Sequence, residues 1–397
     1  MDVGMARKSA QPSRRPVSRR DFLAVGGLSV VGLPAAERAA KLRAQLGRGP
    51  KTVVLVIMNG GASALETFDP KPTAPKEVRG PYRAVETSMP GIFVSETLPR
   101  LAERAKKFSL IRSIHHTAAP IHETGLQLLQ AGTMGNRKGP VAAFGTQLPS
   151  TEAVADETTV PAYVVTPARL RLDRGPAFPS DGAGETKGAE PAVVRDGIVE
   201  SDGAPRTVYA ERFEKLPYSL QDAYGHSSFG RRLWNARQLV EYGATWITVN
   251  LFDTLAGHAT WDAHGNGSAP ATIQDYGRTL CPQFDRAMAG FLDDLVSTGL
   301  WNDVLVICTG EMGRTPRINR TAGRDHWTRC WSALVAGAGV PGGQVIGSSD
   351  SRGAEVMEEP VPVQDLTSAA FRAARGADPK AENGIVAKGW IGRLGLT

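Results

Sequence analysis

Lys51-Thr52-Val53-Val54-Leu55-Val56-Ile57-Met58, running directly into Asn59-Gly60-Gly61, is the segment on which the architecture depends. An unbroken β-branched run of this length is too short for a helix. It also lacks the alternation of a strand with one wet face, so it reads as a strand buried on both sides, the kind that parallel sheets contain. Downstream, helical periodicity is expected over Thr97–Lys107, His122–Gln130 (stopped by Gly132), Phe229–Tyr242, Ile273–Ser297 and Val363–Arg375. Between these lie expected strands at Phe108–Ile114, Ala162–Thr166, Thr245–Leu251, Val304–Cys308 and Ser332–Ala336. Strands alternating with helices imply an α/β fold: a mostly parallel central sheet with helices on both faces. Residues 150–205 are rich in Gly, Pro, Asp and Thr and have poor periodicity, so they read as an irregular insertion within a domain spanning 50–397.

With 41% hydrophobic residues in 397, the chain can bury a large core, which excludes a peptide or a coiled coil. The formal charge is +6, but residues 1–21 hold six basic side chains against Asp2 and Asp21, leaving about +2 for the rest. So balanced a body offers no basic stripe to neutralise phosphates, and nucleic acid is excluded as a leading partner. Ser18-Arg19-Arg20-Asp21-Phe22-Leu23, followed by an apolar run to Ala36, resembles a twin-arginine export signal occupying, with a linker, residues 1–40. The expected partner is the twin-arginine translocation machinery, and the expected location is periplasmic or extracellular, membrane-tethered if the signal is retained. The run of 15 residues is shorter than the ~20 of a membrane span, so no stable transmembrane segment is expected. Three cysteines without C-x-x-C spacing exclude a thiolate zinc cage and a disulfide framework.

In an open α/β sheet, ligands collect beyond the carboxyl ends of the strands. Six of the seven histidines lie in segments that follow strands: His115, His116, His122, His258, His264 and His326. Three have a carboxylate within two residues, in the pairs His122/Glu123, Asp262/His264 and Asp325/His326. Imidazole nitrogen and carboxylate oxygen are the ligands of hydrolytic zinc, manganese or iron sites. The alternative is that Asp262 and Asp325 only cap loops and orient histidines. The Gly60-Gly61 pair lacks G-x-G-x-x-G spacing, so a dinucleotide site is set aside.

The chain is similar to the DUF1501 family, itself similar to the alkaline phosphatase and sulfatase superfamily. The resemblance is carried by Gly60–Pro72, Ser95–Ser113, His122–Gly132, Trp261–Gly265, Gly310–Asn319, Ala322–Trp327 and Gly342–Asp350, in family order after Lys51. It implies an alkaline phosphatase-like sheet with a hydrolytic site for a divalent metal (zinc, manganese or calcium). It places Asp262, His264 and His326, with Asp325 beside it, at the metal, and Glu311 and Asn59 at its edge. Met312 stands where the superfamily has a ligating histidine. His122 stands where the nucleophile is expected and can act as nucleophile, as base or as ligand. Arg314 and Arg324 either clamp an anionic group or form salt bridges to Glu311 or Asp325. Trp261 and Trp327 wall the pocket or stack a sugar.

Two functions follow as expectations. One is an exported metal-dependent hydrolase acting on a small-molecule or glycan ester of phosphate or sulfate. The other, favoured by Met312 and Asn59, is a non-catalytic relative that serves as an envelope binding or structural protein.

Overall fold

In a computed structural model of the chain, residues 52–132, 163–166, 192–195, 198–200, 206–207, 212–375 and 389–396 are described. The export-signal segment and most of the irregular insertion lie outside them. Six strands form the centre of an 11-stranded main sheet: β1 (Thr52–Ile57), β2 (Phe108–His115), β3 (Tyr163–Thr166), β4 (Trp246–Asn250), β5 (Val304–Thr309) and β6 (Trp331–Gly337). Four helices frame it: α1 (His122–Ala131), α2 (Ser228–Glu241), α3 (Cys281–Ser297) and α4 (Val363–Arg375).

All of β1 is buried. Val54 and Val56 enter one core with Leu233 and Leu239 of α2 and Phe284 and Phe291 of α3. Val53, Leu55 and Ile57 enter another with Leu126 and Leu129 of α1 and Leu366 and Ala370 of α4. The two-residue period of a strand thus feeds two apolar layers, which is why the sequence is hydrophobic without alternating. Helices cover both faces, as expected.

The strand order is β2-β6-β5-β1-β4-β3. β1 pairs in parallel with β5 and β4, and β4 with β3. Among these six, β6 is the exception, antiparallel to both β5 and β2. The chain leaves β5 at the carboxyl edge, remains there from Gly310 to Cys330, and re-enters the sheet from that edge without a crossover. This reversal puts the 310–330 segment on the same rim as the ends of β1, β2 and β4.

Two helices depart from the simple reading. Thr97–Lys107 divides into an α-helix at Pro99–Glu103 and a 3₁₀ turn at Ala105–Lys107. The carboxylate of Asp285, from α3, accepts the Arg100 and Leu101 N–H groups at 2.9 Å each and so caps the first piece. Burial lifts the Asp285 pKa to about 6 against the pull of those donors. Ile273–Ser297 contains a π turn at Tyr276–Leu280. Pro282 has no N–H to continue the α ladder, and the Cys281 N–H reaches back to the Tyr276 carbonyl. The Tyr276 hydroxyl accepts the Ser63 N–H at 3.0 Å and fixes the loop after β1.

Among the described residues, no helix is long and apolar enough to cross a membrane. All three cysteines are buried and unbridged.

Candidate metal centre

The rim is drawn tight by Gly60. Its φ is +107°, and a Cβ there would stand 2.3 Å from the Asp262 nitrogen, so only glycine lets the β1 turn touch the Asp262 loop. Asp262 is the focus of the site. Its Oδ1 lies 3.1 Å from His264 Nε2, 3.3 Å from His326 Nε2 and 3.5 Å from His122 Nε2. The His326 ring sits between the other two, with centroids 4.4 Å from His122 and 4.7 Å from His264.

Each of the three imidazoles is held at its other nitrogen. His122 Nδ1 meets Glu311 Oε1 at 2.7 Å, His326 Nδ1 meets the Pro120 carbonyl at 2.7 Å, and His264 Nδ1 meets Asp325 Oδ1 at 3.2 Å. With Nδ1 donating to an oxygen acceptor, it is Nε2 of each ring that is turned inward, ready to ligate once it carries no proton. That is the preparation a metal-binding histidine needs.

Ligand atoms of His122, Asp262 and His326 lie within 4.8 Å of one another. His122 Nε2 is buried and makes no hydrogen bond, so one atom of this set lacks a partner that a cation would supply. Two imidazoles and a carboxylate also match the donor chemistry of catalytic zinc sites. The residues therefore fit a divalent ion. His264 touches Asp262 but stands outside that trio, and its Nε2 accepts from Arg314 Nη1 at 3.2 Å.

Charges in the cluster are coupled. Burial opposes ionisation of Asp262, but the proximity of the three histidines and the Arg314 charge hold its carboxyl far below the ordinary range. Burial likewise disfavours a charged His122, yet contacts to Asp262 and Glu311 prevail and raise its pKa to about 9. His326 is pushed down by burial and by the neighbouring Arg314 and His122 charges, despite its contact with Asp262. Asp325 is lowered by Asn319 and His264 against a smaller pull than Asp262 feels, being far more exposed.

The remaining residues singled out from sequence go elsewhere. Arg314 is buried and fully committed: to Asp262 Oδ1 at 2.5 Å, to the Gly61 and Arg324 carbonyls at 3.0 Å each, to His264, and to the Gly60 carbonyl. Arg324 is also buried, forked onto Glu66 at 2.9 and 2.5 Å and onto the carbonyls of Val78, Thr315 and Pro316. All five N–H groups of each guanidinium are used, so neither is free to clamp an anion, and their carboxylate partners are not Glu311 and Asp325. Asn59 donates to Asn250 Oδ1 at 2.9 Å and accepts from the Phe252 N–H at 3.2 Å, tying the end of β1 to the end of β4. Met312 is buried in packing beside Gly61. Trp261 is fully buried against Tyr276 and Phe284, so it serves the core and not a sugar. Trp327 donates to the Ala354 carbonyl at 2.7 Å and carries Arg329 over one face. Of the other histidines, His116 is buried edge-on to Trp331, His115 contacts the Ser113 carbonyl of its own strand, and His258 contacts the Ala256 carbonyl of its own loop.

Glu66 and the Pro120 carbonyl are the participants that sequence reasoning missed. Glu66 lies within the Gly60–Pro72 stretch with no spacing that singles it out. A backbone carbonyl carries no sequence signal at all.

The profile of the family described as "Protein of unknown function (DUF1501)" matches residues 50–190 and 207–392. No curated protein matches the chain. Among solved structures, the PsFucS1 sulfatase from Pseudoalteromonas sp. is similar at 14% identity and a TM-score of 0.42, over 94% of this chain and 76% of that one. A protein in the alkaline phosphatase superfamily from Vibrio parahaemolyticus is similar at 10% identity and a TM-score of 0.39, over 83% and 67%. The alkaline phosphatase from the Antarctic bacterium TAB5 is similar at 11% identity and a TM-score of 0.39, over 83% and 99%. Likenesses this distant bring no ligand or activity to this chain.

Proposed function

The chain belongs to the DUF1501 family, and we propose that it is an exported, metal-dependent hydrolase of phosphate or sulfate esters. The observation that carries this reading is the convergence of His122, Asp262 and His326 on one point, with every imidazole held at Nδ1 by an oxygen. These three residues would hold the ion. Their nitrogen-rich set suits zinc or manganese better than calcium, which prefers six to eight oxygen ligands. A bound divalent ion would acidify a water and shield charge developing on the ester oxygens.

Arg314 neutralises Asp262 within the cluster. The protein donors then offset little of the ion's charge, which favours an anionic ester over a neutral one. His264 is the most exposed of the three imidazoles, at 23% of its side chain against 20% for His326 and 13% for His122. Backed by Asp325, it would take the proton of an attacking water at Nε2 once that water displaces the Arg314 N–H this nitrogen accepts. Export rests on the Arg19-Arg20 signal.

A second reading, a non-catalytic envelope binding or structural protein, is favoured by one feature. The single carboxylate of the trio already carries a guanidinium, and the Asn59 amide is committed to Asn250 and the Phe252 N–H. Turnover decides between them. Mature protein loaded with zinc or manganese is expected to hydrolyse aryl phosphates or aryl sulfates, and metal-loaded protein inert toward both overturns the enzyme reading.

A further inference from the structure

Glu311 is fully buried, and among the described residues no lysine or arginine pairs with it. A buried carboxylate is costly unless it is paired and hydrogen-bonded, so what holds Glu311 in place matters. Its Oε1 accepts from two donors, the Gly60 N–H at 2.8 Å and His122 Nδ1 at 2.7 Å. The backbone around it is equally constrained. A Cβ at Gly125, in the first turn of α1, would stand 2.4 Å from the Glu311 carbonyl, so the helix that begins with His122 is pressed directly onto this residue. Gly60 and His122 come from the ends of two different strands, and Glu311 from a third.

We propose that Glu311 is a positioning residue: anchored by the Gly60 N–H, it fixes the ring plane and tautomer of His122 so that Nε2 faces Asp262 and His326. The inference rests on the metal reading above and assigns Glu311 a role one bond removed from the ion. Carboxylate partners of this type turn a ligating imidazole and raise its basicity, and their loss costs about 10- to 100-fold in metal affinity. The competing role is direct coordination, because Glu311 Oε2 is buried and accepts no hydrogen bond.

Zinc titration of the folded full chain separates the roles. For positioning, Glu311→Ala is expected to weaken zinc binding about 10- to 100-fold. Glu311→Gln should recover most of that loss, since an amide oxygen still accepts from Gly60 and His122. Equal losses in Glu311→Gln and Asp262→Ala, or an unchanged affinity in Glu311→Ala, overturn it. A second measurement needs no metal. In the metal-free protein the His122 Nδ1–H proton should resonate far downfield, bonded to the carboxylate, and should move upfield in Glu311→Ala. A downfield resonance unmoved by Glu311→Ala overturns the positioning role. Wild-type protein that binds no zinc yet shows the shift overturns the metal reading alone.

Discussion

Arg314 Nη2 lies 2.5 Å from Asp262 Oδ1, and both side chains are buried at the point where three histidines meet. The guanidinium is therefore part of the frame. Arg314→Met removes the donors of three backbone carbonyls and leaves Asp262 short of its charged partner. It is expected to cost about 3–5 kcal/mol in a urea melt. Arg314→Lys should recover little, because one ammonium cannot reproduce the fork. A loss below about 1 kcal/mol contradicts this assignment.

The Arg324–Glu66 pair makes a separate prediction, since it joins the 310–330 segment to the loop after β1. Arg324→Leu alone strands a buried carboxylate and should cost about 3–5 kcal/mol, whereas Arg324→Leu with Glu66→Leu should be markedly less harmful. A double variant as unstable as the sum of the single ones argues against a coupled pair.

His116 gives the fold an acid dependence. Burial, with the neighbouring His115 charge, pushes its pKa down to about 4, and neither ring nitrogen has a hydrogen-bond partner. The unfolded chain binds the proton more readily, so this contribution is intact above about 6.5 and is lost as pH falls toward 4. It amounts to about 3 kcal/mol. Thermal melts over that interval should show a shallower decline in His116→Phe than in the wild type. Parallel declines contradict the assignment.

His264→Ala tests the division of labour at the cluster. Because His122, Asp262 and His326 are the mutually close donors, bound metal should be retained while ester turnover falls about 10²- to 10⁴-fold. Loss of metal with turnover would make His264 a ligand.

Much of this was legible in the sequence. The apolar run at β1 carried its own reading because both faces of that strand are covered, and the rim histidines stood out because they follow strands. The antiparallel course of β6 was hidden, since a two-sided apolar strand reads the same in either direction. The arginines were ambiguous for a similar reason. A guanidinium that clamps an anion and one that knits backbone carbonyls differ only in what long-range folding brings to them, here Asp262 for Arg314 and Glu66 for Arg324. Three of the six rim histidines converge, and sequence spacing could not say which, because His326 depends on a carbonyl at Pro120 and His122 on a carboxylate from another strand end.

The central claim is that His122, Asp262 and His326 together hold one divalent cation. Elemental analysis of folded, purified full-length protein tests it most directly. The expected result is about one zinc or manganese per chain, removed by chelation, restored on dialysis against the metal, and absent from folded Asp262→Ala. Folded wild-type protein that neither retains nor takes up either metal would contradict it.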